Sequence, residues 1–363
     1  MPILSLATGR RLKAMVQGVN VATATSHETI ASLKDAAVPI SLADCRVCPD
    51  PCDDEGHEDW KFDVDMETYM LGLKPYRRQV VISTGKADWP REVTEASGTL
   101  AAYLSEAASA APAPSKEATA LARHTAAQPK AKAVNGIFSA ADSTRTAILN
   151  GSHHTLSHDP DHDTILVFPD YRVVTEVPQS LAGAKSFWKT AIDPAVEWDF
   201  DNTLKTWVLP YSCVILLCSH KKRDNRCHIA APKLEHAFCR SLESHDWEVH
   251  TQLEDLDHAV GPPLEAFKGT KEEQEAEITA QLKALPAQRR ALILKNSHIG
   301  GHKFSGNAII YTPQGSGVWY GRVTTHDVES IVQHTIIGGE ILPPLLRGGV
   351  NLARPGCKTL NDW

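Results

Sequence analysis

The segment YSCVILLC, Tyr211 to Cys218, is a continuous apolar run, the pattern of a strand buried on both faces. Cys218 therefore stands at a strand's end. The polar stretch SHKKRDNRC leads into APKLEHAFCRSLE, where Pro232 suits a first helical turn and Leu234, Phe238 and Leu242 share a face. WEVHTQL reads as a short strand. KEEQEAEITAQLKAL reads as a helix, with acids in its first turn and Ile278, Leu282 and Leu285 on one side. Three strand-like runs follow, ALILKNS, NAIIYT and GVWYGRV, and then a helix, THDVESIVQHTI, with Thr325 as its N-cap.

The order strand, helix, strand, helix, two or three strands, helix predicts a thioredoxin-like α/β sandwich in the C-terminal half. Before it, QVVISTGK (Gln79 to Lys86) reads as a strand closed by a Gly turn, and DWPREV as a helix opened by Asp88 and Pro90. TAILNGS and TILVFPDYRVVTEV are expected to be strands, the second broken at Pro169 and Asp170, with a helix over 180–190. Ala101 to Lys132 is rich in Ala, Ser and Pro, a composition for a helix end and an exposed loop. The expected division is a flexible N-terminal segment over 1–40 and a degenerate thioredoxin-like domain over 41–200, with a loop near 105–135. A thioredoxin-like domain over 201–340 and a tail over 341–363 complete it.

Composition narrows the function. A net charge of -7 lacks the accumulated Lys and Arg of a nucleic-acid binder. No apolar run approaches the length of a membrane helix, so neither nucleic acid nor membrane is an expected partner. The first 27 residues carry Arg10, Arg11 and Lys13 without an acid, which suits a disordered cytosolic tail or a mitochondrial presequence. Cytoplasm is the expected compartment, with the mitochondrion as alternative. Nucleophile-elbow, Walker and dinucleotide motifs are absent, and no carboxylate pair is placed for glycoside chemistry.

The 8 cysteines sit in clusters with histidines, which favours metal ligation over bridging. Cys218 and Cys227 flank eight residues; His298 and His302 flank three, in SHIGGH, beyond another strand of the same sheet. Neighbouring parallel strands bring their ends together, so all four side chains can meet at one sheet edge. Gly300 and Gly301 there permit close approach of the backbone. Two thiolates and two imidazoles suit an iron-sulfur cluster or zinc. The cysteine loop is longer than the knuckle of a structural zinc site, and a two-iron cluster takes two ligands per iron, with paired imidazoles on the outer one. Lys221, Lys222, Arg223 and Arg226 form a basic loop suited to an acidic redox partner or an anionic thiol, or simply to offsetting a cluster's charge, and Lys303 stands next to His302.

CSHKKRDNRCHIAAPKLEHAF, NSHIGGHKFSGNAIIY and VWYGRVTTHDVESIVQH resemble the signature segments of the sucrase/ferredoxin-like family, thioredoxin-like ferredoxins related to fungal actin-patch-distal and altered-inheritance-of-mitochondria proteins. The likeness is strong over 211–363 and extends more weakly through QVVISTGKADWPREV. It implies a 2Fe-2S cluster on Cys218, Cys227, His298 and His302, and hence an electron-transfer protein in redox homeostasis rather than a catalyst, with no catalytic residue. The redox partner is unnamed. The end, LNDW, is similar to tripeptides that recruit the cytosolic iron-sulfur targeting complex through a terminal aromatic, here Trp363. The rival expectation is a zinc- or thiol-based thioredoxin-like redox or interaction module, for which Cys218 and Cys227 lack the close C-x-x-C spacing of such chemistry.

Other candidates are weaker. Cys45, Cys48, Cys52 and His57 offer four ligands in 13 residues, for zinc or as loose thiols. Cys213 and Cys239 read as small buried hydrophobes and Cys357 as an exposed thiol. The histidines of HTLSHDPDHD and SHDWEVH read as exposed polar loops.

Overall fold

The structure is a computed structural model that describes residues 21–43, 70–110, 134–192 and 203–363, without the side chains of 21–27 and of His302. Helix α1 spans Val21–Asp35. Strand β1 spans Arg78–Ser83, α2 Leu100–Ala110, β2 Ile137–Phe138, β3 Thr146–Gly151, β4 His162–Phe168, β5 Arg172–Pro178 and α3 Leu181–Phe187. The chain continues with β6 Lys205–Val208, β7 Cys213–Cys218, α4 Asn225–Ser244, β8 Glu248–His250, α5 Leu256–Ala259, α6 Lys271–Ala284 and β9 Arg290–Asn296. Last come β10 Ala308–Tyr311, β11 Gly317–Tyr320, α7 Thr325–Ser330 and β12 Leu346–Val350.

All the described strands join one mixed sheet in the order β2-β12-β11-β10-β7-β9-β3-β1-β4-β5-β6, with β8 on β9. Within it, β7 lies parallel to β9, pairing Cys218 with Asn296, and β1 lies parallel to β3, pairing Ser83 with Gly151. The two parallel pairs meet antiparallel at Gly151 and Asn296. Asn150 N–H donates to Ser297 Oγ at 3.0 Å, Ser297 N–H to Asn150 O at 2.8 Å, and Lys295 N–H to Ser152 Oγ at 3.0 Å. Both pairs thus end at the middle of the sheet.

Alternation decides what each face covers. Cys213, Ile215 and Leu217 of β7 pack with Leu234, Phe238 and Leu242 of α4 and with Val328 of α7. Val214 and Leu216 face the opposite layer, with Ile278 of α6. Val80 and Ile82 of β1 pack against Leu100 and Leu104 of α2 and Ala184 and Phe187 of α3. Each such aliphatic side chain removed from water stabilises the fold by about 1.5–3 kcal/mol.

The C-terminal element order expected from the pattern is present, and the α/β class holds. Several local expectations differ. The segment 1–40 is not flexible throughout: α1 forms, and Leu33, Ala36 and Val38 are buried in the same cluster as α4. DWPREV opens no α-helix; a 3-10 turn occupies Val93–Glu95 and the helix begins at Leu100. Asp88 caps no helix there, because its carboxylate accepts the backbone N–H of Lys222 at 3.0 Å. Helix α4 starts seven residues before Pro232, which lies inside it on the solvent side, where the carbonyl it leaves unbonded can reach water. β6, assigned to the second domain, pairs with β5 of the first half, and the tail contributes β12, which pairs with β2. The exposed-loop part of 105–135 falls largely outside the described residues.

Candidate metal centre

Strand β7 ends on Cys218, 2 % exposed, and the chain turns through 219–224 into α4. Asp224 caps that helix, its carboxylate accepting Arg226 N–H at 2.9 Å. Cys227 therefore sits in the helix's first turn, fully buried. The parallel partner β9 ends at Asn296, and two residues on stands His298. The Sγ atoms of Cys218 and Cys227 and a ring nitrogen of His298 all lie within 4.8 Å of one another, and His298 Nδ1 is 3.8 Å from Cys218 Sγ. Ser305 Oγ donates to Cys227 Sγ at 3.9 Å. Gly300 and Gly301 take φ of +81° and +69°, left-handed backbone that turns the loop back across the strand ends. His302 opens the 3-10 turn His302–Phe304 on that loop, and its side chain lies outside the described residues. Three of the four expected ligands thus converge.

The thiols do not titrate alike. A hydrogen bond from Cys227 holds the Cys218 thiol below its usual range, assisted by the backbone N–H groups of Ile299 and His220 and by Arg347. Cys227, the donor of that bond and buried as well, is pushed up. Of the two, Cys218 is the thiol that ionises first.

Two further residues complete the surroundings, and sequence reading had missed both. His220 accepts the His298 backbone N–H on Nδ1 at 3.2 Å and donates through Nε2 to Trp89 O at 2.8 Å. This fixes its tautomer, and burial holds its pKa down. The imidazole ties the histidine loop to the first half of the chain. Arg347 on β12 is 7 % exposed and donates through Nη1 to Asn307 Oδ1 at 2.6 Å and Gly300 O at 3.2 Å. Its guanidinium lies 5.0 Å from the Phe304 ring centre, and a Cβ on Gly301 would come within 2.4 Å of it. Burial lowers the Arg347 pKa to about 10, against the pull of Cys218 and Cys227, so it stays charged at neutral pH. Among the described residues no carboxylate forms an ion pair with it. A buried cation of this kind needs an anion, and the Cys218 sulfur beside it is the group most ready to supply one. His220 was visible in CSH; Arg347 carried no local signal.

The basic loop is largely spoken for. Arg226 pairs with Asp224 at 2.8 Å and Arg223 with Glu92. Lys221 and Lys222 remain exposed, and the exposed Lys303 lies 5.5 Å above the Phe304 ring. Cys213 is a buried hydrophobe and Cys239 packs partly buried against the same core. Cys357 is half-buried rather than exposed, its N–H bonded to Arg354 O. Nor are the two histidine-rich stretches plain exposed loops. His245 bonds Glu329 at 2.8 Å, His250 lies on β8, and His162 opens β4. Cys45, Cys48, Cys52 and His57 lie outside the described residues.

The donor set fits the implied cluster: buried thiols with backbone N–H groups on the sulfur, an imidazole on a glycine-rich turn, and a buried positive charge that no carboxylate pairs among the described residues. Altered inheritance of mitochondria protein 32 of Meyerozyma guilliermondii is 28% identical over 138 residues, 38% of this chain and 35% of that protein. Its namesake in Clavispora lusitaniae is 33% identical over 135 residues, 37% of this chain and 34% of that one. Actin patches distal protein 1 of Saccharomyces cerevisiae is 31% identical over 127 residues, 35% and 30% of the two chains. The matched stretch thus spans about a third of each relative's length. No solved structure matches. The sucrase/ferredoxin-like family model matches residues 71–348, most of the chain and all of the site, and the chain belongs to that family.

Proposed function

We propose that the protein is a 2Fe-2S electron-transfer protein, its cluster held by Cys218, Cys227, His298 and His302. The observation that supports this most is the convergence of Cys218, Cys227 and His298 at the carboxyl ends of two paired parallel strands, beside the buried charge of Arg347. Such a cluster supplies one-electron redox chemistry. With two thiolates and two neutral imidazoles as ligands, an oxidised cluster held here would carry no formal charge and a reduced one a negative charge. Arg347 provides the counter-charge for that change, which favours reduction. His298 and His302 keep a second ring nitrogen for a proton, so reduction is coupled to pH where those nitrogens reach water. Lys221 and Lys222 give the nearby surface a charge suited to an acidic redox partner.

Trp363 is 49 % exposed, with Lys283 Nζ 5.8 Å from its ring centre. Asn361 and Asp362 tie the tail down through Ile336 O, Ile337 O, Lys358 N and Thr359 N. An exposed aromatic ring is what docking on the expected cytosolic iron-sulfur targeting complex would use. Among the described residues no helix is long and apolar enough to cross a membrane. The relatives' name keeps a mitochondrial setting beside the cytoplasmic one.

Anaerobically purified protein should contain about two irons and two acid-labile sulfides per chain, with a rhombic EPR signal after dithionite. His298→Cys should retain a cluster, lower its potential and flatten its pH dependence. An unchanged potential would remove His298 from the ligand set. One observation favours a second reading: three donor atoms within 4.8 Å also suit a single tetrahedral zinc. Stoichiometric zinc, with failed reconstitution by iron and sulfide, would decide for it.

A further inference from the structure

The carboxyl ends of the other parallel pair, β1 and β3, open on a cavity of about 560 Å³, in the range that holds small molecules. Ligands of open α/β sheets bind outside such strand ends. Asn150 lines this cavity and is 7 % exposed. Its backbone N–H and carbonyl are both bonded to Ser297, while its side-chain amide has no hydrogen-bond partner among the described residues. Leu100 and Ala101, the first residues of α2, line another wall and are 3% and 1% exposed. The Thr99 hydroxyl accepts Ala102 N–H at 3.3 Å and its carbonyl accepts Tyr103 N–H at 3.1 Å. The N–H groups of Leu100 and Ala101 are left without an acceptor among the described residues. A helix start with open N–H groups favours an anion, and the Asn150 amide, on a residue more than nine-tenths buried and open only to the cavity, offers a ligand both a donor and an acceptor.

Two more features define the ligand. Lys86 and Lys222 stand at the cavity's exposed rim and add positive charge. Asp163, 8 % exposed, lines the cavity and accepts from Ser83 Oγ at 3.2 Å, which offers an acceptor to a ligand's hydroxyl or amine. The Thr84-Gly85-Lys86 turn does not cradle an anion. Its N–H groups are used internally, Thr84 and Gly85 on His153 O and Lys86 on the Thr84 hydroxyl.

We propose that this cavity binds a small anionic metabolite, its carboxylate or phosphate on the start of α2 and its hydroxyl- or amine-bearing body on Asn150 and Asp163. The site shares a wall with the cysteine loop through Lys222 and Asp88, but it stands whichever metal Cys218 and Cys227 hold.

Isothermal titration of the full-length protein as purified, with glycerol 3-phosphate, L-malate and inorganic phosphate, tests it. One of the two hydroxylated anions should bind at millimolar concentration or below, and which one tells phosphate from carboxylate. Asn150→Leu should weaken that binding roughly tenfold or more, and Lys86→Ala, at an exposed position that leaves the fold untouched, by about threefold. Failure of both hydroxylated anions to bind would overturn the proposal. So would inorganic phosphate binding as tightly as either, or affinity unchanged in both variants.

Discussion

Arg347 reaches the cysteines from a strand at the far side of the sheet, with Asn307 Oδ1 and a carbonyl as its hydrogen-bond acceptors. In the loaded protein its charge should favour the reduced state, so Arg347→Met is expected to lower the reduction potential, and Arg347→Lys to restore part of the loss; a redox titration of the three proteins checks this. Two other buried groups make stability depend on pH in opposite senses. Burial raises the Asp163 pKa from 3.8 to about 6. The folded protein therefore binds that proton more tightly than the unfolded chain, and this contribution is full at low pH and declines as pH rises through about 6. Asp163→Asn should be more stable than the parent at pH 7.5, by up to about 3 kcal/mol, and not at pH 3.5. His153 is wholly buried, with no hydrogen-bond partner on either ring nitrogen among the described residues. The nearby Thr164 backbone favours the protonated ring, yet burial outweighs it and lowers the pKa to about 4. Its contribution is full above about 6.5 and lost as pH falls toward 4, so His153→Leu should flatten the acid side of the stability profile in urea titrations.

At the scale of elements, the strand that carries Cys218 was legible because six consecutive buried positions leave an unbroken apolar run. The start of α4 was not. Pro232 drew attention as a first-turn residue, while Asp224, a good N-cap, lay inside a run of charges. The consequence is chemical: Cys227 belongs to a helix's first turn rather than to a wide loop. The SHIGGH turn was readable from its paired glycines, whose positive φ values are what the turn needs. Gly301→Ala should be costly on two counts, left-handed strain and the Cβ contact with Arg347. A loss of about 1–3 kcal/mol is expected in thermal unfolding, with reduced iron content at equal yield.

In the whole molecule, one sheet runs through both halves, and a buried polar network crosses between them. Tyr311 of β10 donates to Gln79 Oε1 of β1 at 2.9 Å and lies 2.7 Å from the Tyr76 hydroxyl, which accepts Trp319 Nε1–H at 2.9 Å. Tyr311→Phe leaves Gln79 and Tyr76 short of a partner in a dry place, a loss of about 1–3 kcal/mol. Because the sheet is continuous, unfolding of both parent and variant should remain a single transition when followed by far-UV circular dichroism and tryptophan fluorescence. Two separate transitions would show halves that fold alone.

The α/β class, the order of elements in the second half and the residue types at the candidate metal site were legible in the chain's local pattern, because periodicity and spacing survive without a partner strand. The sequence also carried the family likeness in segments around the two cysteines and SHIGGH. The remaining features depend on residues far apart in the chain. β6 joins the first half's strands, β12 delivers Arg347, and His220 locks onto Trp89. Above all, β3 and β9 meet at their carboxyl ends, which sets the candidate metal site and the cavity side by side. Strand pairing and burial of a lone charge are settled by partners that sequence spacing does not name, and those partners exist only once the sheet has closed around them.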